Sequence, residues 1–156
     1  MVLADFDKFE IPVLVDTGAS LTMVSTQLLY ALNPNLLSQL SETEMQRAIM
    51  ADGQGVNILG KLRMNFKLQN RKFDHVFYVL PNITYWAVLG TDFLACHQCY
   101  LDYSTCTLTV NSVIPQLMCI RFQEKLSVGV FDTENNLKPG PYCKNYLRPK
   151  CNTEIA

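Results

Sequence analysis

The sequence predicts an all-β fold, mainly β with one or two short helices, in one domain. Runs of apolar or alternating residues of strand length, separated by turn residues, extend from residue 2 to residue 110. Helix start and stop signals are confined to two short segments. The length of 156 residues suits one domain, and 49% hydrophobic and 17% charged residues are typical of a chain with a packed core.

The first two predicted strands flank a turn at Asp7-Lys8. Residues 2–6 and 9–15 are apolar-rich runs on either side of it, which is a hairpin pattern. The second run ends in a short apolar stretch and is followed at once by Asp-Thr-Gly at residues 16–18. A buried strand that leads directly into a sharp turn is therefore predicted here.

A short helix is predicted over residues 25–32. Ser25 is its candidate N-cap, because a serine hydroxyl can accept a hydrogen bond from a free amide of the first turn. Asn33-Pro34 ends it, since proline lacks the amide that a helix interior needs. Residues 34–44 are predicted to be a loop with one further helical turn.

A second β region follows. Residues 46–51 and 56–68 are strand-like and flank residues 52–55, which contain two glycines and predict a flexible hairpin tip. Residues 63–68 alternate polar and apolar side chains, as a half-buried strand does. Another strand is predicted over residues 73–80.

The last predicted elements of this region are a strand, a helix and a hairpin. Residues 87–89 form an apolar strand that ends at Gly90, and residues 91–95 start a short helix with Thr91 or Asp92 as the cap. Residues 100–103 and 107–110 then form a hairpin.

The composition changes after residue 111. Residues 1–111 hold seven basic and ten acidic residues, whereas residues 112–156 hold six basic and four acidic ones. We therefore expect a domain over residues 1–111 and a C-terminal extension or linker over residues 112–156. Strands are predicted at residues 117–122 and 126–131 of this extension.

The net charge and the lengths of the apolar runs argue against a nucleic-acid-binding protein and a membrane protein. Thirteen Lys and Arg residues and fourteen Asp and Glu residues give a net charge of −1, so no basic nucleic-acid-binding surface is expected. No apolar run reaches the ~18 residues of a membrane span, and no basic segment followed by an apolar stretch opens the chain. We expect a cytoplasmic protein without direct contact with nucleic acid or membrane.

Three separated segments carry a recognisable pattern. They are Asp-Thr-Gly-Ala-Ser at residues 16–20 after an apolar strand, Ala-Asp-Gly at residues 51–53, and Val-Leu-Gly-Thr-Asp-Phe-Leu at residues 88–94. Together they resemble the retropepsin-like aspartic peptidases, and most of all the protease domain of Gypsy-type LTR retrotransposon Pol polyproteins. The resemblance covers residues 2–111. It implies a closed barrel of the acid protease fold with one lobe per chain.

The resemblance also implies an oligomeric state and a set of site residues. A single Asp-Thr-Gly per chain implies a C2 homodimer in which Asp16 of each copy meets on the axis. The predicted catalytic residues are Asp16, Thr17, which would hydrogen-bond across the axis, and Gly18. The predicted substrate-binding residues of the flap and pocket are Ala19, Ser20, Asp52, Gly53, Gln54, Gly55, Val88 and Leu89.

The implied chemistry is peptide hydrolysis by an aspartic endopeptidase without cofactor or metal. An ionised carboxylate can take a proton from water, and a protonated carboxyl can give one to the leaving nitrogen. Two carboxyls held a few ångström apart share one proton, so a symmetric pair supplies both roles. The implied substrate is a retroelement polyprotein, cleaved in the cytoplasm or within retroelement particles.

Metal and thiol chemistry are the main alternatives within the chain. Cys-His-Gln-Cys at residues 96–99 offers a zinc pair, but a closed zinc site needs four ligands, and Cys106 would supply only a third. Nothing near His75 and His97 supplies a glycine-framed nucleophile turn or an acid to orient them, so we predict ordinary surface or core histidines. The six cysteines are predicted to be reduced thiols, and a pairing among them within the last third of the chain stays open: Cys96, Cys99, Cys106, Cys119, Cys143 and Cys151.

Two other functional classes remain open from the sequence. The first is a catalytically silent retropepsin-fold module for dimerisation or peptide binding, although such a module would not need the intact carboxylate of Asp16. The second is a zinc-dependent binding module built on the cysteine-rich C-terminal part. A folded wild-type dimer that cleaves nothing in a broad peptide library would favour the first, and metal analysis separates the second from both.

Overall fold

The computed structural model describes residues 1–110 throughout and, beyond them, the backbone of four short strands. In chain order the strands are β1 (Val2–Phe6), β2 (Phe9–Val15), β3 (Met23–Ser25), β4 (Arg47–Ile49), β5 (Gly55–Asn57), β6 (Gly60–Leu68), β7 (Arg71–Leu80), β8 (Ala87–Leu89), β9 (Cys99–Asp102), β10 (Thr107–Val110), β11 (Met118–Arg121), β12 (Val130–Phe131), β13 (Leu137–Lys138) and β14 (Arg148–Pro149). The helices are α1 (Thr26–Leu32), a 3₁₀ helix (Pro34–Gln39) and α2 (Thr91–Cys96).

Six strands close into a barrel. They follow the order β1-β6-β7-β3-β8-β2, and β1 pairs back onto β2 to close the ring, while β14 adds to the outer edge of β2. The longest ladder joins β6 to β7 in antiparallel register, with Gly60 opposite Val79 and Leu68 opposite Arg71. The predicted all-β fold with a closed barrel and few short helices is confirmed.

Two strand pairs in the barrel are parallel, and one of them positions the candidate site. Strand β2 runs parallel to β8, with Leu14 opposite Val88 and Val15 opposite Leu89. Parallel strands end at the same edge of a sheet. The Asp-Thr-Gly turn after β2 and Gly90 after β8 are therefore neighbours, although 70 or more positions separate them in the sequence.

Several local predictions are confirmed. Strands β1 and β2 form the predicted hairpin around Asp7, which takes the left-handed conformation with φ of 47° that a tight turn needs. Helix α1 begins after Ser25, whose hydroxyl oxygen accepts a hydrogen bond from the Leu28 amide at 3.1 Å. It ends at Asn33, before the proline of the following 3₁₀ helix.

The predicted single strand over residues 56–68 is wrong, because the structure divides it. Strand β5 pairs with β4, whereas β6 pairs with β7 and β1. Between them the Ile58 amide bonds to the Gln46 carbonyl and the Leu59 amide bonds to the Val79 carbonyl, so the chain changes partners within two residues. The uninterrupted β pattern of this segment could not reveal that exchange.

The predicted cap of α2 is also wrong. Gly90 occupies the N-cap position and provides no side-chain hydrogen bond, and Thr91 is the first helical residue. Asp92 lies in the first turn, where its carboxylate accepts a hydrogen bond from the Phe93 amide at 2.7 Å. Negative charge is favourable at this end of a helix, so the residue type fits a helix start while its role differs from the predicted one.

The barrel interior is a single large hydrophobic cluster with aromatic rings at its centre. Phe66 stacks on Phe6 at a centroid distance of 5.3 Å and meets Phe77 edge-on at 5.5 Å. Phe73 and Phe93 extend the group toward α2. Truncation of a buried phenylalanine such as Phe6 to alanine typically costs about 3–5 kcal/mol, so each ring of this group contributes substantially to barrel stability.

The segment after residue 110 continues the sheet structure of the domain in the part that the structure describes. Strands β9, β10 and β11 form an antiparallel sheet, so β11 pairs with β10 across the expected boundary at residue 111. Strands β12 and β13 form a separate pair. Among the described residues, the helices are all too short to cross a lipid bilayer.

Candidate active site

Asp16 lies on a turn that main-chain bonds fix to the barrel. Its amide donates to the Leu89 carbonyl at 3.0 Å, and its carbonyl accepts from the Ala19 amide at 3.2 Å. One carboxylate oxygen, Oδ1, accepts a hydrogen bond from the Gly18 amide at 2.8 Å. This bond orients the carboxylate. Asp16 is only half-buried, so the carboxylate remains accessible to solvent.

The turn is packed tightly against the end of β8. The Thr91 amide donates to the Ala19 carbonyl at 2.8 Å, which joins the start of α2 to the turn. A Cβ atom added at Gly90 would lie 2.6 Å from the carbonyl carbon of Leu21 and 2.8 Å from the carbonyl oxygen of Ala19. Only glycine allows the two backbones to approach this closely, so Gly90 is a spacing residue for the Asp16 turn.

Thr22 connects the turn to α2, and the sequence analysis missed it. Its side chain is fully buried, and its hydroxyl donates to the Asp92 carboxylate at 2.6 Å and accepts from the Gly90 amide at 3.1 Å. The only sequence signal was a threonine close to the Asp-Thr-Gly motif. Its two partners lie 68 and 70 positions away, so spacing alone could not assign it this role.

Asp92 is a second carboxyl group near the turn, and its side-chain contacts are with Thr22 and His75. Its Oδ2 lies 3.4 Å from Nε2 of His75 on β7, and its Oδ1 is bonded to Thr22. Burial by itself raises the pKa of this carboxyl, but the hydrogen bonds from His75, Thr22 and Phe93 bring the pKa below its usual value. Asp92 is thus an ionised structural residue, and it is the acid that contacts the ring of His75.

The predicted flap residues form the tip of a hairpin. Strands β4 and β5 pair antiparallel, and the Met50 amide donates to the Gln54 carbonyl at 2.8 Å. The Asp52 carboxylate accepts from the Gln54 amide at 2.9 Å. Gly53 takes a φ of 84°, and apart from its chain neighbours no atom lies within 4 Å of the place that a Cβ would take there. Residues 51–55 are all exposed, so the tip is free of the barrel.

A second hydrophobic cluster links this hairpin with the Asp16 turn. Met23, Ile58 and Val88 are among its buried members. The partly buried residues packed against it include members of the hairpin and of the turn region, together with Tyr78 of β7 and Tyr85: Leu14, Ala19, Leu21, Ala48, Met50, Val56, Tyr78 and Tyr85. The hairpin and the candidate catalytic turn therefore share one partly open apolar surface, which suits the binding of apolar side chains.

The predicted pocket residues on β8 separate onto two faces of the strand. Val88 belongs to the second cluster, next to the turn and the hairpin. Leu89 is fully buried in the main barrel cluster, so its side chain supports the barrel and cannot contact a ligand. Ala19 is half-buried, and Ser20 is exposed on the turn.

An open cavity of about 410 Å³ lies beside Thr17. Strand β9 and helix α2 form most of its lining, which includes Leu94 and the exposed Tyr100 and Tyr103. Cys99 also lines it, and burial together with the neighbouring Cys96 raises the pKa of the Cys99 thiol to about 11. This thiol stays protonated at neutral pH and has little nucleophilic character.

The closed six-stranded barrel, with a turn after β2 packed against the end of β8 and a hairpin beside it, defines a retropepsin-like fold. The crystal structure of the retroviral protease-like domain of Ddi1 from Leishmania major is similar, with a TM-score of 0.62 and 18% sequence identity. The similarity covers 78% of this chain and 91% of that chain. No family model and no curated protein sequence matched the chain. At this identity the likeness establishes an aspartic protease-like fold.

Proposed function

We propose that this chain is one half of a homodimeric aspartic endopeptidase, with the two Asp16 carboxylates as its catalytic pair. The observation that carries the proposal is the Asp16 turn itself. Its carboxylate is half-exposed, oriented by the Gly18 amide, and anchored through its own amide to Leu89. A residue that only closed a turn would not need the close packing of Gly90 against Ala19 and Leu21.

The proposed reaction is direct addition of water to the peptide carbonyl. One Asp16 carboxylate accepts a proton from the water as its oxygen bonds to the carbonyl carbon. Before the water adds, the protonated Asp16 of the partner hydrogen-bonds to the carbonyl oxygen. The carbon–nitrogen bond then breaks while the nitrogen receives a proton from the pair. The pair ends with one proton, as it began, so no metal or cofactor takes part.

The proposed substrate is an extended peptide from a retroelement polyprotein. Extended peptides bind by main-chain hydrogen bonds, and alternate side chains enter apolar pockets. The second cluster supplies an apolar surface between the hairpin and the turn. The exposed hairpin tip has two glycines, which would let it bend over a bound peptide. The proposed Gypsy-type origin rests on the motifs at residues 51–53 and 88–94.

The test of the catalytic assignment is Asp16→Asn with Asp102→Asn as the matched control. Asp102 also accepts a hydrogen bond from the amide two residues ahead, at 2.9 Å, but it is the last residue of β9, before the β9–β10 turn. Peptide cleavage should fall by about 10⁴-fold or more in Asp16→Asn, as when other essential catalytic groups are removed, and stay near wild type in the control. A folded Asp16→Asn protein that cleaves at a comparable rate would refute the proposal.

The dimer has a separate test. Because each site would need Asp16 from two chains, specific activity should fall on dilution through the dimer dissociation constant. Sedimentation over the same concentrations gives that constant independently. Full activity in a sample shown to be monomeric would refute the shared site. A stable dimer that cleaves nothing in a broad peptide library would instead favour the non-catalytic binding module.

A further inference from the structure

Three side chains with metal-binding chemistry meet on the side of the barrel occupied by α2. His75 comes from β7, Cys96 is the last residue of α2, and His97 is its C-cap. One ring nitrogen of each histidine and the Cys96 sulfur all lie within 4.8 Å of one another. Zn–S and Zn–N bonds of about 2.3 and 2.1 Å place tetrahedral ligands about 3.5 Å apart, so side chains this close need only small rotations to bind one ion.

His97 has a buried ring nitrogen, Nε2, without a hydrogen-bond partner in the part of the chain that the structure describes. A buried polar nitrogen without a partner is costly, and such atoms are rare in folded proteins. A metal ion bound through Nε2 of His97 would satisfy this nitrogen.

Asp92 adds the partner that metal-binding histidines usually have. Its carboxylate lies 3.4 Å from Nε2 of His75. A carboxylate at one nitrogen of a ligating histidine fixes the ring orientation and makes the other nitrogen a better donor. Asp92 is itself held by the buried Thr22, so the orientation of His75 is defined from the barrel.

We propose that His75, Cys96 and His97 bind a Zn²⁺ ion and leave its fourth position open to solvent or an added ligand. Two imidazoles and a thiolate form the borderline-soft donor set that suits zinc, and zinc is commonly tetrahedral. Cys96 is exposed, so the open position can face solvent. The ion would join the C-terminal end of α2 to β7.

The sequence could not show this site. The Cys-His-Gln-Cys segment indicates Cys99 and Cys106 as partners, whereas neither belongs to the cluster of ligand atoms. The third ligand is His75, which lies 21 positions before Cys96 and reaches it only because β7 and α2 pack together. The site is separate from the proposed chemistry of Asp16 and does not depend on it.

The test is titration of the metal-free, reduced full chain with Co²⁺, which replaces zinc in such sites and absorbs visible light. We expect visible d–d bands and a near-ultraviolet sulfur-to-cobalt band that saturates at one equivalent and is displaced by Zn²⁺. The sulfur band should vanish in Cys96→Ser and persist in Cys99→Ser and Cys106→Ser. His75→Asn and His97→Asn should each weaken the affinity by more than about 100-fold, beyond the typical effect of an outer partner.

A second measurement guards against misfolded variants. Thermal unfolding without metal should be nearly the same for wild type and Cys96→Ser, because Cys96 is exposed. Added Zn²⁺ should raise the melting temperature of the wild type and of Cys99→Ser, and leave that of Cys96→Ser unchanged. The proposal is overturned if the wild type shows no sulfur-to-cobalt band, or if Cys96→Ser retains both the band and the stabilisation by Zn²⁺.

Discussion

Substitution of Gly90 by alanine should separate the Asp16 turn from the barrel. The new methyl group would overlap main-chain atoms of Leu21 and Ala19, and backbone has no rotamer through which to yield. The φ of Gly90 is −93°, which alanine adopts freely, so the whole effect is steric. Relief requires the turn to move away, which breaks the bonds of Gly90 to Thr22 and of Thr91 to Ala19.

The expected loss of stability follows from two contributions. Overpacking in a closely packed region costs about 1–3 kcal/mol, and each weakened hydrogen bond costs about 1 kcal/mol. With two hydrogen bonds affected, we expect the free energy of unfolding to fall by about 3–5 kcal/mol in Gly90→Ala. For a chain of 156 residues this corresponds to a melting temperature lower by about 6–20 °C. A displacement of about 1 Å in the Asp16 turn would also reduce cleavage by about 100-fold.

Gly53→Ala is the matched control for this prediction. Gly53 has open space around it but a φ of 84°, so alanine there meets conformational strain of about 1 kcal/mol and no overlap. Urea titration of both variants gives the free energies, and an unchanged m-value shows that the unfolded state is the same. Equal losses in the two variants, or a Gly90→Ala protein within about 0.5 kcal/mol of wild type, would refute the steric reasoning.

Two further predictions concern the stability of the protein at low pH and the role of the hairpin tip at residues 52–55. The folded-state pKa of Asp92 lies below the usual unfolded value of about 3.9, so its contribution to stability is complete above about pH 4 and is lost as the pH falls through the folded-state pKa. Asp92→Asn should therefore be less stable than wild type at pH 7, with the difference shrinking in acid, and a constant difference across pH in thermal unfolding would contradict this. Replacement of Gly53 and Gly55 by valine should reduce peptide cleavage far more than stability, because the tip is exposed and Gly55 faces only the flexible guanidinium of Arg47. A double variant that folds and cleaves normally would show that residues 52–55 are not a flap.

Local patterns predicted the elements that depend on neighbouring residues. The β1–β2 hairpin, the Ser25 cap of α1 and the β9–β10 hairpin each follow from a turn residue or a cap within a few positions. The position of Asp16 at the end of a strand also followed, because an apolar run stops at the motif. These features are set by short-range chemistry that a single sequence contains.

The remaining features depend on contacts between distant segments. The exchange of partners between β5 and β6 is set by which strands lie alongside, and the bond from Thr22 to Asp92 joins residues 70 positions apart. The approach of His75 to Cys96 and the burial of Leu89 in the main cluster have the same origin. A pattern along the chain cannot specify such pairs, because it does not say which elements become neighbours.

The uneven lengths of the strand pairings that close the barrel determine which strands unfold first. Strand β1 joins β6 through two residue pairs, and β2 joins β8 through two, whereas β6 and β7 share nine. The β1–β2 hairpin is therefore joined to β6 and β8 by few main-chain hydrogen bonds. These two joints form a seam of the barrel that depends mainly on side-chain packing. In native-state hydrogen exchange its outer amides should lose protection before those of β6 and β7. Since β2 leads into Asp16, opening of this seam would dismantle the site while most of the barrel is still intact.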